Sequence, residues 1–228
     1  PELEIILLSR DVVVVNKPAN LLSESDRFGA PSVETVLPKL LEKRSEPNRL
    51  WLVHRLDAGT TGVLVLARTA KAARSLNAAF REGRVEKTYV ALVKGYLRKG
   101  IHIDAPIARI KGTKHGVKSG GKPSHTHAAP LSTTKSASLV RARPTTGRTH
   151  QIRVHLASVD LPLYGDRLYG GPGYTEEMPP NPVSRAMLHA MELRFPDPRD
   201  ESESIVVNAP LPRDFLELAS TLGLEAKQ

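Results

Sequence analysis

The chain has 228 residues, 40% of them hydrophobic, and no cysteine; 33 Lys and Arg against 24 Asp and Glu give a net charge of +9 and a pI near 9.9. It is long enough to bury a sizeable core, while the lack of cysteine excludes disulfides, thiolate metal sites and thiol nucleophiles. The charge points to a polyanionic partner, nucleic acid before a membrane surface, because no apolar run approaches the roughly 18 to 20 residues that span a bilayer.

Asp11 to Asn16 (D-V-V-V-V-N) is predicted as a strand closed by Lys17-Pro18, since proline cannot donate to a ladder. Leu21 to Ala30 reads as a polar loop. From Ser32, with Glu34 in the first turn, Val33, Val36, Leu37, Leu40 and Leu41 recur at helical spacing, although Pro38 interrupts the pattern. Val63 to Ala67 is short, β-branched and preceded by Gly62, which marks a buried strand. Ala70 to Phe80 is predicted as a helix with Gly83 as its stop. Val85 to Leu97 and Ile101 to Ile107 read as strands. Lys111 to Pro123 holds Lys111, Lys114, Lys118 and Lys122, four glycines and almost nothing apolar, and reads as a mobile basic loop.

Ser136 to Arg143 alternates weakly as a strand and ends at the turn Thr145-Thr146-Gly147. Thr149 suits an N-cap for a helix over His150 to Val159, on the spacing of Ile152, Leu156 and Val159. Gly165 to Pro182 is rich in Gly and Pro and reads as loop. Ala186 to Phe195 and Ser204 to Asn208 are further strands, and Pro212 opens a C-terminal helix. Strands outnumber helices and several are consecutive. The fold class is therefore α+β, a mixed, largely antiparallel sheet flanked by helices and loops, in one domain over residues 1–228.

Three stretches combine polar side chains with turn chemistry. In V-H-R-L-D-A-G-T-T-G-V-L-V-L-A-R (53–68), Asp57 lies in a tight loop that feeds a rigid strand. Such an aspartate either caps its own turn or holds a reactive carboxylate still. Lys87-Thr88-Tyr89 is the second stretch. The third, G-R-T-H-Q-I-R-V-H (147–155), places Arg148 and His150 at a helix start, where donors and the helix dipole favour an anion. Arg153 is one turn along, on the surface or facing inward toward a carboxylate; Asp57 is one candidate partner. Asp104 and Asp166 read as loop acids without support, so a paired-carboxylate glycosidase lacks its second acid. The histidines show no zinc-hydrolase spacing, the glycine clusters match neither phosphate-binding nor dinucleotide fingerprints, and no nucleophile elbow is present. No metal or organic cofactor is expected.

H-R-L-D-A-G-T-T-G-V-L-V-L (54–66) resembles the catalytic motif of the RluA-type pseudouridine synthases, and the likeness runs along nearly the whole chain. V-V-N-K-P-A-N-L (14–21), K-T-Y-V-A-L-V-K-G (87–95), G-R-T-H-Q-I-R-V-H-L-A (147–157), Y-G-D-R-L-Y-G-G (164–171) and L-H-A-M-E-L-R-F-P-D-P (188–198) are similar to that family's further motifs, in order. Asn20 stands where the family usually has Gly, Thr61 where it has Ser, and 123–127 departs from a more apolar segment. The resemblance implies an isomerase that converts uridine in RNA to pseudouridine without a cofactor. It implies Asp57 as the essential carboxylate, Arg153 as its ion-pair partner, Tyr89 stacked on the target uracil, and Arg55 filling the gap left by a flipped nucleotide.

Further RNA contacts are expected from His54, Thr60, Lys17, Arg148 and His150, and from Lys111, Lys114, Lys118 and Lys122. The expected partner is a structured ribosomal or transfer RNA, met by a cytoplasmic monomer that carries no separate N-terminal RNA-binding domain. Against this stands a catalytically silent RNA-binding module of the same fold, which would not need Asp57, Tyr89 and Arg153 together.

Overall fold

Four consecutive valines, Val12 to Val15, fit only a strand buried on both faces, and each is at most 1% exposed. They belong to a computed structural model that describes residues 3–172 and 183–226. Its strands and helices follow in chain order: β1 (Glu4–Leu8), β2 (Val12–Lys17), α1 (Val33–Glu42), β3 (Trp51–Leu52), β4 (Thr61–Ala67), α2 (Ala70–Arg81) and β5 (Glu86–Lys94). Then come β6 (Ile101–Asp104), β7 (Ile107–Lys111), β8 (Lys114–Val117), β9 (His125–Thr133), β10 (Ala137–Pro144), α3 (Gln151–Ser158), β11 (Leu188–Pro196), β12 (Ser204–Asn208) and α4 (Arg213–Thr221). The chain falls into two units, 1–87 with 190–210 and 88–189 with 211–228.

In the first unit the strand order is β1-β2-β4-β11, with β12 on β11 and the short β3 on β4. The ladder of β2 on β4 is antiparallel and sets Val14 opposite Val65. Every residue of β4 is buried, as its apolar run predicts. Val63, Val65, Leu76, Phe195 and Val207 share one core beneath α2. Helix α1 starts at Ser32, whose hydroxyl accepts the Thr35 N–H while Thr35 Oγ1 accepts the Ser32 N–H. It then runs through Pro38. An interior proline costs about 3 kcal/mol, but burying Val33, Leu37 and Leu41 returns roughly 1.5 to 3 kcal/mol each, so the apolar face wins. Gly62, at φ +109°, passes so close to β11 that a Cβ there would lie 2.1 Å from the Ala190 carbonyl oxygen. Only glycine fits.

The second unit carries the order β5-β10-β9-β6, with α3 packed through Ile152 and Leu156 onto Ala91, Val93 and Val140. The ladders of β5 on β10, β10 on β9 and β9 on β6 are antiparallel. The α+β class and the largely antiparallel sheet are as the sequence predicts.

Two expectations need correction, and a third lies partly outside the described residues. The basic stretch from Lys111 is a β-hairpin, β7 on β8, with Ile107 buried and opposite Val117. Both strands are short and largely exposed, so apolar periodicity is no guide there. The third helix starts one residue late: its N-cap is His150, at φ 56° and ψ 20°, with no side-chain capping bond. The glycine- and proline-rich loop over 165–182 is described only to 172. No helix among the described residues is long and apolar enough to cross a membrane.

Candidate active site

Asp57 is half-buried in a turn whose backbone is held on both sides. Before it, Ser23 Oγ donates to the Leu56 carbonyl at 2.8 Å and accepts the Leu56 N–H at 3.0 Å. After it, the Ala58 carbonyl accepts the Asn20 N–H at 2.9 Å and the Lys17 ammonium at 3.1 Å, and the Thr60 N–H closes the turn on the Asp57 carbonyl at 3.0 Å. Asn20 is at φ 61°, a conformation asparagine tolerates better than most residues, so it serves where Gly is usual. The same carboxylate-bearing turn feeds β4, whose every residue is buried. Residues 56, 58 and 60 therefore cannot drift without breaking these hydrogen bonds.

Lys17 is placed otherwise than expected. It is fully buried, and its ammonium donates to the carbonyls of Pro18, Leu21 and Ala58 at 3.0, 2.8 and 3.1 Å. A buried ammonium needs such acceptors, and once engaged with them it is not presented to RNA. Lys17 holds the loop in place. His54 is also committed locally: Nε2 accepts the Val65 N–H at 3.1 Å, and the ring stacks on Phe80 at 4.6 Å. Burial, with Lys87 as a second cause, lowers its pKa to about 3, so it stays neutral. Lys87 is itself lowered to about 8 by burial. Thr60 is buried at 2% exposure, whereas Arg55 is exposed, with Glu24 at 3.4 Å as an open surface ion pair.

In the second unit Arg153 faces inward, one of the two orientations its spacing allows. Its Nε and Nη2 donate to Asp166 Oδ2 and Oδ1 at 2.7 and 2.8 Å, a two-pronged pair with the carboxylate wholly buried. The guanidinium also lies over the Tyr169 ring, 5.0 Å from its centroid. Asp166 is thus no unsupported loop acid. The Leu168 N–H donates to its Oδ1 at 3.2 Å, and the Gly171 N–H donates to its main-chain carbonyl. Tyr89 is half-buried on β5 and packs against this unit's core. His150 Nδ1 lies 2.8 Å from the Tyr169 hydroxyl, and Arg148 Nε donates to the Pro123 carbonyl at 3.2 Å. Lys111, Lys114, Lys118 and Lys122 are all exposed, on the hairpin or just after it.

Sequence reasoning missed Gln151 and His155. Gln151 is 4% exposed; its Oε1 accepts from Thr146 Oγ1 and the Arg148 N–H, and its Nε2 donates to the His125 carbonyl and Thr126 Oγ1. All four of its hydrogen-bonding capacities are used, which locks the 145–148 turn to β9. His155 stands between Thr126 Oγ1 and the Ala105 carbonyl, and burial lowers its pKa. The i, i+4 spacing of two polar residues flanking Ile152 was the only available signal, since helical periodicity counts apolar side chains alone.

Residues 11–158 match the family model described as RNA pseudouridylate synthase. A ribosomal large subunit pseudouridine synthase D of Haemophilus ducreyi is 37% identical over 237 residues, covering 96% of this chain and 70% of its own. An uncharacterized RNA pseudouridine synthase of Zymomonas mobilis is 39% identical, covering 94% of this chain and 96% of its own. Among solved structures, human RNA pseudouridylate synthase domain containing 4 superposes with a TM-score of 0.80 at 27% identity, over 99% of this chain and 95% of that one.

Proposed function

Because the chain belongs to the RNA pseudouridylate synthase family, and so is an isomerase acting on RNA, we propose that Asp57 carries its chemistry on a uridine flipped out of a structured RNA. The carrying observation is the turn at Asp57, fixed through Leu56, Ala58 and Thr60 while the carboxylate stays half-buried. A carboxylate acts as a nucleophile only when ionised and held. In the reaction the N1–C1′ bond breaks, the uracil rotates, a C5–C1′ bond forms, and the proton leaves C5 while N1 regains one. Asp57 serves as the nucleophile, and the bond it makes to the substrate is broken again as the product forms, which returns the free carboxylate. Arg153, anchored by Asp166, supplies the cation of the reaction, and Tyr89 stacks on the uracil. Arg55, exposed and loosely paired, occupies the vacated stack, since the reacting atoms are unreachable inside a helix.

Lys17 and His54 support this work by holding the loop. Thr60, Arg148, His150 and the hairpin lysines contribute to RNA binding. The likeness to a ribosomal large subunit enzyme favours ribosomal over transfer RNA, taken up by a single copy of the chain. The test is tritium release from RNA labelled at uracil C5. Wild-type protein should release it, and Asp57→Asn should not, with RNA affinity kept within about a few-fold. Wild-type binding without release from any RNA would leave a silent binding module instead.

A further inference from the structure

The Tyr169 hydroxyl joins three parts of the second unit. It accepts the main-chain N–H of His115 on β8 at 3.1 Å, and it lies 2.8 Å from Nδ1 of His150, the residue that starts α3. Its ring supports the Arg153 guanidinium and meets the His150 ring edge-on, at 5.7 Å between centroids. The His115 and His150 rings meet in the same manner at 5.6 Å. Asp166, three residues earlier, holds Arg153 from another side, and the Tyr169 N–H donates back to the Asp166 carbonyl at 3.3 Å. One short turn therefore grips Arg153 by a carboxylate and by an aromatic face, while its hydroxyl reaches the lysine-bearing hairpin.

The chemistry of the phenol adds direction. A tyrosine hydroxyl has one proton to give and lone pairs to receive. The His115 amide can only donate, so it takes a lone pair, and the hydroxyl proton remains able to donate toward Nδ1 of His150. A neutral imidazole that accepts at Nδ1 carries its proton on Nε2. His150 has no side-chain capping bond and a left-handed backbone, so this contact orients its ring at the start of α3.

We propose that Tyr169 is a positioning residue which couples the β7–β8 hairpin to Arg153 and fixes His150 as the Nε2–H tautomer. This rests on Arg153 as the catalytic arginine and on the hairpin as a phosphate contact. The coupling gives the hairpin a second task. RNA phosphates that seat on Lys111 and Lys114 load the β8 main chain, and the Tyr169 hydroxyl passes that constraint to the turn holding Arg153.

Two substitutions separate hydroxyl from ring. Tyr169→Phe keeps the ring under Arg153 and removes both hydroxyl contacts. Tyr169→Leu removes the ring as well. Nitrogen-15 spectra of histidine-labelled protein at neutral pH, with His150 assigned by comparison with His150→Gln, should show the Nε2–H tautomer in wild type and a mixture in Tyr169→Phe. RNA dissociation constants should rise about fivefold in Tyr169→Phe, and single-turnover rates at saturating enzyme should fall at least about tenfold further in Tyr169→Leu. An unchanged His150 spectrum in Tyr169→Phe overturns the hydroxyl's role, and it remains readable even if Tyr169→Leu does not fold. A folded Tyr169→Leu with the Tyr169→Phe rate overturns the ring's role. Wild-type protein inactive on every RNA would instead defeat the functional reading, and the His150 spectrum would still decide the tautomer.

Discussion

The Lys17 ammonium donates to the carbonyl oxygen of Ala58, the neighbour of Asp57, at 3.1 Å. A cation that resembles an RNA contact in the sequence is thus a buried strut for the loop that bears the carboxylate. Its other two acceptors, Pro18 and Leu21, lie in the chain that follows β2, so a single side chain ties that segment to the Asp57 turn.

Lys17→Met should therefore damage the turn more than RNA binding. It takes the ammonium donor from the Pro18 and Leu21 carbonyls, at roughly 1 to 3 kcal/mol each, while Ala58 keeps the Asn20 N–H, and the loss is partly offset by no longer burying a charge. We expect a net loss of about 2 to 4 kcal/mol in urea unfolding. The single-turnover rate should drop about tenfold, with RNA affinity changed less than about threefold. A variant that loses affinity instead of rate would restore Lys17 to the RNA surface.

Arg153→Met should cost stability as well as rate. It strands the Asp166 carboxylate, wholly buried, and breaking one side of such a pair costs about 3 to 5 kcal/mol. Adding Asp166→Leu should recover part of that stability without recovering the rate. Urea unfolding and single-turnover assays of the single and double variants check both halves. Equal stability of the two variants would mean that the pair is not the source of the loss.

The four exposed lysines of the hairpin region and Arg55 should act at different steps. Neutralising Lys111, Lys114, Lys118 and Lys122 should weaken binding to every RNA and lower the log–log salt slope by roughly 0.7 to 0.9 for each phosphate left without its cation. Arg55→Ala should lower the rate more than the affinity if, as proposed, Arg55 fills the stack after binding. Dissociation constants at several salt concentrations, with single-turnover rates, separate the two. A salt slope unchanged in the four-lysine variant would make those lysines a merely solvated surface.

His54 should make the fold acid-sensitive. Its folded pKa, about 3, lies below the ordinary 6.5, so the unfolded chain takes up this proton first. The stability linked to His54 is complete above pH 6.5 and is lost progressively as pH falls toward 3. His54→Gln, which keeps an acceptor for the Val65 N–H without titrating, should flatten the fall in thermal midpoint between about pH 7 and 5. A variant as acid-sensitive as wild type would place the titration elsewhere.

The apolar elements were legible because burial imposes periodicity. The valines of β2, the run of β4 and the alanine-rich α2 lie where spacing puts them. The hairpin was not legible, since its ladder is made by backbone groups under exposed side chains. The same applies to polar partners. Asp57, Tyr89 and Arg153 are proposed from motifs, but the assignments of Ser23 to Leu56, Lys17 to Ala58 and Asp166 to Arg153 depend on packing, and sequence separation says nothing of them. A buried lysine reads like an exposed one until its acceptors are seen.

Gly62 bears on how the protein is made. Strand β4 lies between β2 and β11, and β11 belongs to a segment that is synthesised more than 100 residues later. During translation β2 can pair with β4 at once and the short β3 can cover Leu66 and Ala67, yet the rest of the other edge of β4 waits until β11 leaves the ribosome. For that interval a strand with an apolar run, Val63 to Ala67, presents open hydrogen-bonding groups, a template for misassembly. Because Gly62 leaves no room for a side chain, β11 can dock closely when it arrives. A bulkier residue there would prolong the exposure of the nascent chain, so its first symptom should be poor yield and aggregation during synthesis rather than a slower enzyme.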